Sequence, residues 1–359
     1  MLYFKPQFNA PDLLKFVEDS LLAQGVSVVQ RTILTGTDIS RRNIFEKQYL
    51  ELVKYSTELS ALLLELTEDE CEAFKQAFTR DFAEVKANLP VTTTSVSSES
   101  TVRRPPSGMS NAPRDILLNF DEAKRYLNLE NRELLALSRS DQALSLRLRK
   151  GIYCCRIDKT CTKSSILKGK LSEPIYVINP FFGSLRDSYV SGNAAIPMWV
   201  IEWDAQLLKW STLTDDIIGH RNPEAAAPTS IRGVVFSEWP SLGLHEAPNE
   251  GRNILHVSRS ALEGLAERMI WARNAMVFTD LFGSRLMTAR CTSAQIAHWL
   301  GNPAMTVKVE VEVEEYSNDS NESSVFRKTT KLVPTTLFNI LAGKNSEECI
   351  SYLVNISKI

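Results

Sequence analysis

No stretch of the 359-residue chain approaches the ~18 to 20 consecutive apolar residues of a membrane-spanning helix, so no membrane span is expected. The opening Met1-Leu2-Tyr3-Phe4-Lys5-Pro6 lacks the long apolar core of a secretory signal. A basic excess is missing too. Against 43 Asp and Glu stand 41 Lys and Arg, a formal charge of -2, which argues against a generic nucleic-acid binder but allows a local basic cleft for a nucleotide; no specific nucleic-acid partner is expected. Only four histidines and six cysteines occur, and no C-x-x-C or H-x-x-x-H pair is among them. A zinc site is therefore not expected, and the cysteines read as the reduced thiols of a cytoplasmic protein. What is present is ordinary: 43% apolar and 23% charged residues, over a length that suits about two to three domains.

Residues 2–4 are apolar and short enough for a strand. Leu13, Leu14, Phe16, Val17, Leu21 and Leu22 recur at helical spacing over 12–23, and Gly25 follows as a stop. A strand over 26–34 and a helix over 38–55 continue a β-α-β opening. Residues 57–88 read as helical, with Thr67 and Glu70 spaced as a capping box. A Ser-, Thr- and Pro-rich tract at 89–114 reads as a linker, and helices are expected over 120–127 and 131–149. Residues 57–172 are thus expected to form a helical insertion.

Strands are expected at 175–178, 198–203 and 234–236, with a helix over 205–218. Ser260 and Glu263 form a second capping-box pair, opening a helix to Trp271 that sets Glu263 and Glu267 one turn apart. Helix continues to about Leu300. Val307, Val309, Val311 and Val313 then alternate with Lys308, Glu310, Glu312 and Glu314, which predicts a hairpin with 325–333 that buries one face. A last helix is expected over 335–353.

His256 is the residue that carries chemistry. It lies in Gly251-Arg252-Asn253-Ile254-Leu255-His256-Val257-Ser258, with Glu267 eleven positions on. A nucleophilic imidazole needs one free ring nitrogen and the other held by an acceptor such as a carboxylate. By itself the pattern also fits a hydrogen-bonded structural histidine.

The order of motifs resembles the nucleoside diphosphate kinase family. Phe4-Lys5-Pro6 is similar to its opening strand, and Tyr49 falls where that family has a phosphate-contacting tyrosine. Asn179-Pro180-Phe181-Phe182 resembles its Arg-Pro-Phe-Phe, Gly219-His220-Arg221-Asn222-Pro223 its Gly-x-Thr-Asn-Pro, and Ser230-Ile231-Arg232-Gly233 its Thr-Ile-Arg-Gly. Gly251 to His256 resembles Gly-Arg-Asn followed by two apolar residues and His, with Ser258 and Glu267 at family spacing. The resemblance covers 1–56 and 173–272, is interrupted by 57–172, and does not extend to 273–359.

This resemblance implies an α+β, ferredoxin-like antiparallel sheet with helices on one face, extended by the C-terminal hairpin and helices. It implies transfer of phosphate from a nucleoside triphosphate to a diphosphate through phosphohistidine, and a homo-oligomeric assembly that insertions of this size could block, which leaves the oligomeric state open. His256 would be the nucleophile, with Glu267 and Ser258 fixing its other nitrogen. Lys5, Arg232 and Arg221 would neutralise phosphate, Tyr49 and Asn253 would hydrogen-bond it, and Phe181 would stack on the base. Mg²⁺ would ride on phosphate oxygens with no protein metal site. Each residue also has a structural reading: Lys5 as a solvated strand end, Phe181 and Phe182 as core, Arg232 as an ion-pair partner, Glu267 as an exposed helix residue. The family pattern is broken where Asp215 aligns with an arginine, Arg221 with the loop threonine, Val257 with glycine and Arg259 with aspartate. Those changes leave a second reading open, a catalytically impaired nucleotide-binding or protein-interaction module on the same fold.

Overall fold

The computed structural model describes residues 1–87, 115–315 and 325–357. The tract expected as a linker, 89–114, and the tip of the C-terminal hairpin lie outside the described residues. Among those described are the strands β1 (Leu2–Phe4), β2 (Ser27–Thr35), β3 (Ile116–Asn119), β4 (Leu144–Arg149) and β5 (Ile152–Ile157). Further along come β6 (Ile175–Ile178), β7 (Ala195–Glu202), β8 (Leu255–Val257), β9 (Ala304–Glu315) and β10 (Val325–Thr336). The chain is of the α+β type, and no helix among the described residues is long and apolar enough to cross a membrane. It divides into two compact units, residues 1–39 with 192–359, and residues 40–191.

The first unit is built on an antiparallel sheet of order β2-β7-β1-β8. Strand alternation gives its faces different roles. Leu2 and Phe4 of β1 and Leu255 and Val257 of β8 point one way, into a core with Trp199 and Ile201. Leu13, Val17 and Leu21 of the helix Pro11–Ala23, and Ile231 and Val235 of the helix Ile231–Glu238, close over that face. Each such side chain contributes about 1.5–3 kcal/mol on burial. Tyr3 and His256 point the other way, where Trp271 of the helix Ala261–Trp271 stacks on Tyr3. Helices therefore serve both faces, not one.

β2 and β7 run as a hairpin pair that ends with Thr35 beside Ala195, and the Gly36 N–H donates to Ala194 O at 3.1 Å. The whole of residues 40–191 leaves from the tip of this pair. Beyond Trp271, the helices Leu281–Thr288, Ser293–Leu300, Leu337–Leu341 and Ser346–Ile356 bury Leu286, Trp299, Leu341 and Leu353 against Leu262 and Leu265.

Four further expectations fail in this unit. Residues 234–236 are helical, because the Ser230 hydroxyl caps Gly233 N–H and starts a helix at Ile231. The segment 205–218 winds only from Trp210, leaving Leu207 86% exposed, and is a π-helix over Thr212–Ile218. β9 and β10 pair as expected, yet Val309 is exposed, so the expected buried face is not formed there. The last helix is also two helices, because β10 runs on to Thr336.

The second unit corrects the expectation of a helical insertion. It holds a four-stranded mixed sheet of order β3-β6-β5-β4, with β3 and β6 parallel. β4 occupies 144–149, inside the helix expected over 131–149; the helix itself stops at Ser138. Phe74, Phe78 and Phe82 pack with Tyr176, Ile152 and Leu117 to form its core. The compact division falls at 40 and 191 rather than at 57 and 172. The helix expected over 38–55 is a chain of short turns broken at Asn43, which has φ of 52°. Thr67 and Glu70 do form the reciprocal capping box.

Candidate functional site

The short strand β8 presents His256 between two core residues, so its imidazole leaves the opposite face half-buried. The ring's Nε2–H donates to Glu267 Oε1 at 2.6 Å. Nδ1 has no partner among the described residues. Glu267 is buried on the helix whose Ser260 N-cap accepts from the Glu263 N–H, and its second oxygen accepts from the Ser258 hydroxyl. Burial alone would raise the Glu267 carboxyl. The charge and hydrogen bond of His256, with that of Ser258, outweigh it and hold the group well below the usual carboxylate range. An ionised Glu267 keeps the proton on Nε2 and leaves the Nδ1 lone pair outward. His256, Glu267 and Ser258 are thus brought together.

Just before β8 the backbone turns sharply. The Leu255 N–H donates to Asn253 O at 2.8 Å across Ile254, which has φ of 72° and is fully buried. A β-branched residue in that region is strained, at a cost of about 1–3 kcal/mol, and such turns concentrate at functional sites. Cations hold the turn. Arg232 is 8% exposed and donates to Gly219 O at 2.7 Å, Leu255 O at 2.9 Å and Asn253 O at 3.3 Å. Lys5 follows β1, its N–H donating to Ile254 O at 2.9 Å and its ammonium to Gly251 O at 3.4 Å. Asn253 Nδ2–H donates to Arg221 O at 2.9 Å, and the Arg221 guanidinium pairs with Glu250.

Electrostatics tie this group together. Burial, then Arg232 and Arg221, push the Lys5 ammonium down to about 8. Burial and Arg221 bring Arg232 down to about 10. Among the described residues neither Lys5 nor Arg232 has a carboxylate partner, so the alternative reading of Arg232 as an ion-pair partner is not met there. Lys5, Arg221, Arg232 and Asn253 therefore gather around the turn that leads into His256.

Tyr49 and Phe181 belong to the other unit, where each has a packing role. The Tyr49 hydroxyl meets that of Tyr189 at 2.9 Å, and its ring packs on Phe45. Phe181 is half-buried at the start of the helix Phe182–Val190, edge-on to Tyr153, while Phe182 is core. Asn179 is buried with φ of 54° and bonds Tyr153 N–H, Ser56 and Gly151 O, a structural role. All four residues belong to the unit 40–191, whereas His256 belongs to the unit of residues 1–39 and 192–359.

No family model, curated protein or solved structure matches the chain.

Two of the residues that break the resemblance make local contacts. Arg259 binds Glu263 through backbone and guanidinium and reaches Asn339 at 3.3 Å. It fastens the strand end after His256 to the C-terminal helices. Asp215 is exposed and accepts from the Thr214 hydroxyl at 2.9 Å. Sequence reasoning missed Tyr3 and Trp271. Tyr3 stacks on the imidazole, with centroids 4.8 Å apart, and on Trp271 at 4.1 Å. The alternation of Leu2-Tyr3-Phe4 was the signal that could have found it.

Proposed function

We propose that this protein transfers a phosphoryl group from a nucleoside triphosphate to a nucleoside diphosphate through His256, as nucleoside diphosphate kinases do. One observation carries the reading: the His256 Nε2 is committed to a buried, ionised Glu267 while Nδ1 has no partner among the described residues, directly after a strained turn gathered by Lys5, Arg221 and Arg232. The strand order β2-β7-β1-β8, with helices Pro11–Ala23 and Ile231–Glu238 on one face, supports a ferredoxin-like arrangement of the first unit.

In the proposed step the Nδ1 lone pair attacks the γ-phosphorus and the bond to the β-phosphate oxygen breaks. The diphosphate leaves, and the Nε2 proton stays on the ring against Glu267, which offsets the imidazolium charge. A second diphosphate then attacks the phosphohistidine, and the ring returns unchanged. Lys5 and Arg221 would meet the phosphates; Arg232, already donating to three carbonyls, would act mostly by its charge and by holding the turn. Among the described residues no three His, Cys, Asp or Glu side chains gather to hold an ion. Mg²⁺ would enter as part of the nucleotide substrate. Tyr49 and Phe181 are left out of this mechanism.

A second reading is favoured by the Arg221–Glu250 pair and by the carbonyls that occupy Arg232, since both satisfy the cations without phosphate. It makes the unit a nucleotide-binding module without turnover. Incubation with γ-radiolabelled nucleoside triphosphate and Mg²⁺ separates the two. Acid-labile, base-stable label is expected on wild type and none on His256→Ala. A folded wild type that binds nucleotide without taking label supports the module, and one that neither binds nor labels defeats both readings.

A further inference from the structure

We propose that Tyr3 is a positioning residue for His256, its ring fixing the imidazole plane so that Nδ1 faces outward while Nε2 stays on Glu267. In the β1–β8 register Tyr3 lies directly opposite His256. Opposed residues of an antiparallel pair have side chains close enough to define each other's rotamers. Here the two ring planes are inclined by 26° with centroids 4.8 Å apart. The far face of Tyr3 lies on Trp271 at 4.1 Å and 21°, and both rings are buried. The imidazole is therefore the outer layer of a three-ring stack whose inner layers cannot move without opening the core.

The stack supplies what Glu267 cannot. A single hydrogen bond at Nε2 fixes one atom but leaves the ring free to swing about that contact, and the terminal torsion of histidine is broad. A flat surface beneath the ring removes the swing. Attack on phosphorus needs the lone pair aligned within roughly 10–20°, so the loss of the surface should show in rate and in which nitrogen reacts. A Tyr3 that only filled space would be replaceable by methionine, which fills a similar gap without a planar face.

For transfer from nucleotides this inference rests on the phosphohistidine reading, so the test uses a small donor that needs no nucleotide site. With phosphoramidate, Nδ1 forms the new N–P bond, the P–N bond to the leaving ammonia breaks, and the Nε2 proton stays on the ring beside Glu267. The peptide carrying His256 is then read for the phosphohistidine isomer and the labelling rate. Wild type and Tyr3→Phe are expected to label at Nδ1. Folded Tyr3→Met is expected to label about three- to tenfold more slowly or to divide label between the two nitrogens. An unchanged rate and isomer in Tyr3→Met overturns the proposal. Should that variant not fold, the wild-type ring protons of His256 decide. They are expected upfield from the ring current of Tyr3, equally so in Tyr3→Phe, and ordinary shifts would overturn the stack. Label from phosphoramidate without label from nucleotide defeats the kinase reading and leaves the role of Tyr3 standing.

Discussion

Lys5 shows how much a single residue can reveal. Its ammonium sits at about 8 in the folded chain against 10.5 for a free lysine, chiefly through burial and then through Arg232 and Arg221. Between those values the unfolded chain binds more protons than the native one, so this group makes stability rise with pH across that window. A polyphosphate beside Lys5 would reverse the effect of the arginines and draw the proton back. Binding of a nucleoside triphosphate near pH 8.5 should then take up roughly half to one proton, read by calorimetry in buffers of different ionisation enthalpy. Lys5→Met should abolish the uptake; a wild type that binds nucleotide with no uptake would remove Lys5 from the phosphate site. At this scale the sequence was half legible. His256, Glu267 and Ser258 could be joined by spacing, but the left-handed turn falls on Ile254, a residue type that signals strand and carries no mark of that conformation. Tyr49 and Phe181 were assigned by alignment to a pattern, and the contacts the structure gives them lie within residues 40–191.

The element that matters most is the helix Ala261–Trp271, which carries both Glu267, the partner of His256 Nε2, and Trp271, the ring stacked on Tyr3. Its start was legible because Ser260 and Glu263 have the right spacing, though the bonding differs from the expected box. Ser260 accepts from Glu263 N–H, while the Glu263 carboxylate goes to Arg259. Ser260→Ala should therefore lower unfolding free energy by about 1–2 kcal/mol, seen as a lower urea midpoint with an unchanged slope. No shift would mean that Arg259 and Glu263 alone fix this terminus. Elsewhere local pattern misled. Leu144, Leu146 and Leu148 alternate with Ser145, Arg147 and Arg149, the mark of the strand that forms there, yet the preceding helix pattern was carried through them. At 234–236 apolar residues alone favoured a strand, and the Ser230 cap a few positions upstream decided for helix.

Across the molecule, the two units have cores drawn from separate parts of the chain: Leu2, Leu13 and Val235 with their neighbours in one, Phe74, Tyr176 and Ile152 in the other. Because Thr35 and Ala195 are direct partners, a short turn could join them. Replacing residues 37–193 by a glycine-containing turn of about two to four residues should leave the first unit folded, with β2–β7 amides still protected from exchange. Loss of that protection would show that the inserted unit is needed to hold the pair. The domain pattern was legible only as an interruption; its sheet and its limits were not, because a mixed sheet depends on distant pairings such as β3 with β6. The same hairpin has a consequence for synthesis. β1 has both its neighbours, β7 and β8, encoded after residue 191. At translation speeds of roughly 5–20 residues per second, the strand bearing Tyr3 and Lys5 leaves the ribosome on the order of ten seconds or more before it can find a companion. During that interval Leu2, Tyr3 and Phe4 have no strand to pair with, an apolar segment open to aggregation or to chaperone capture until β7 follows.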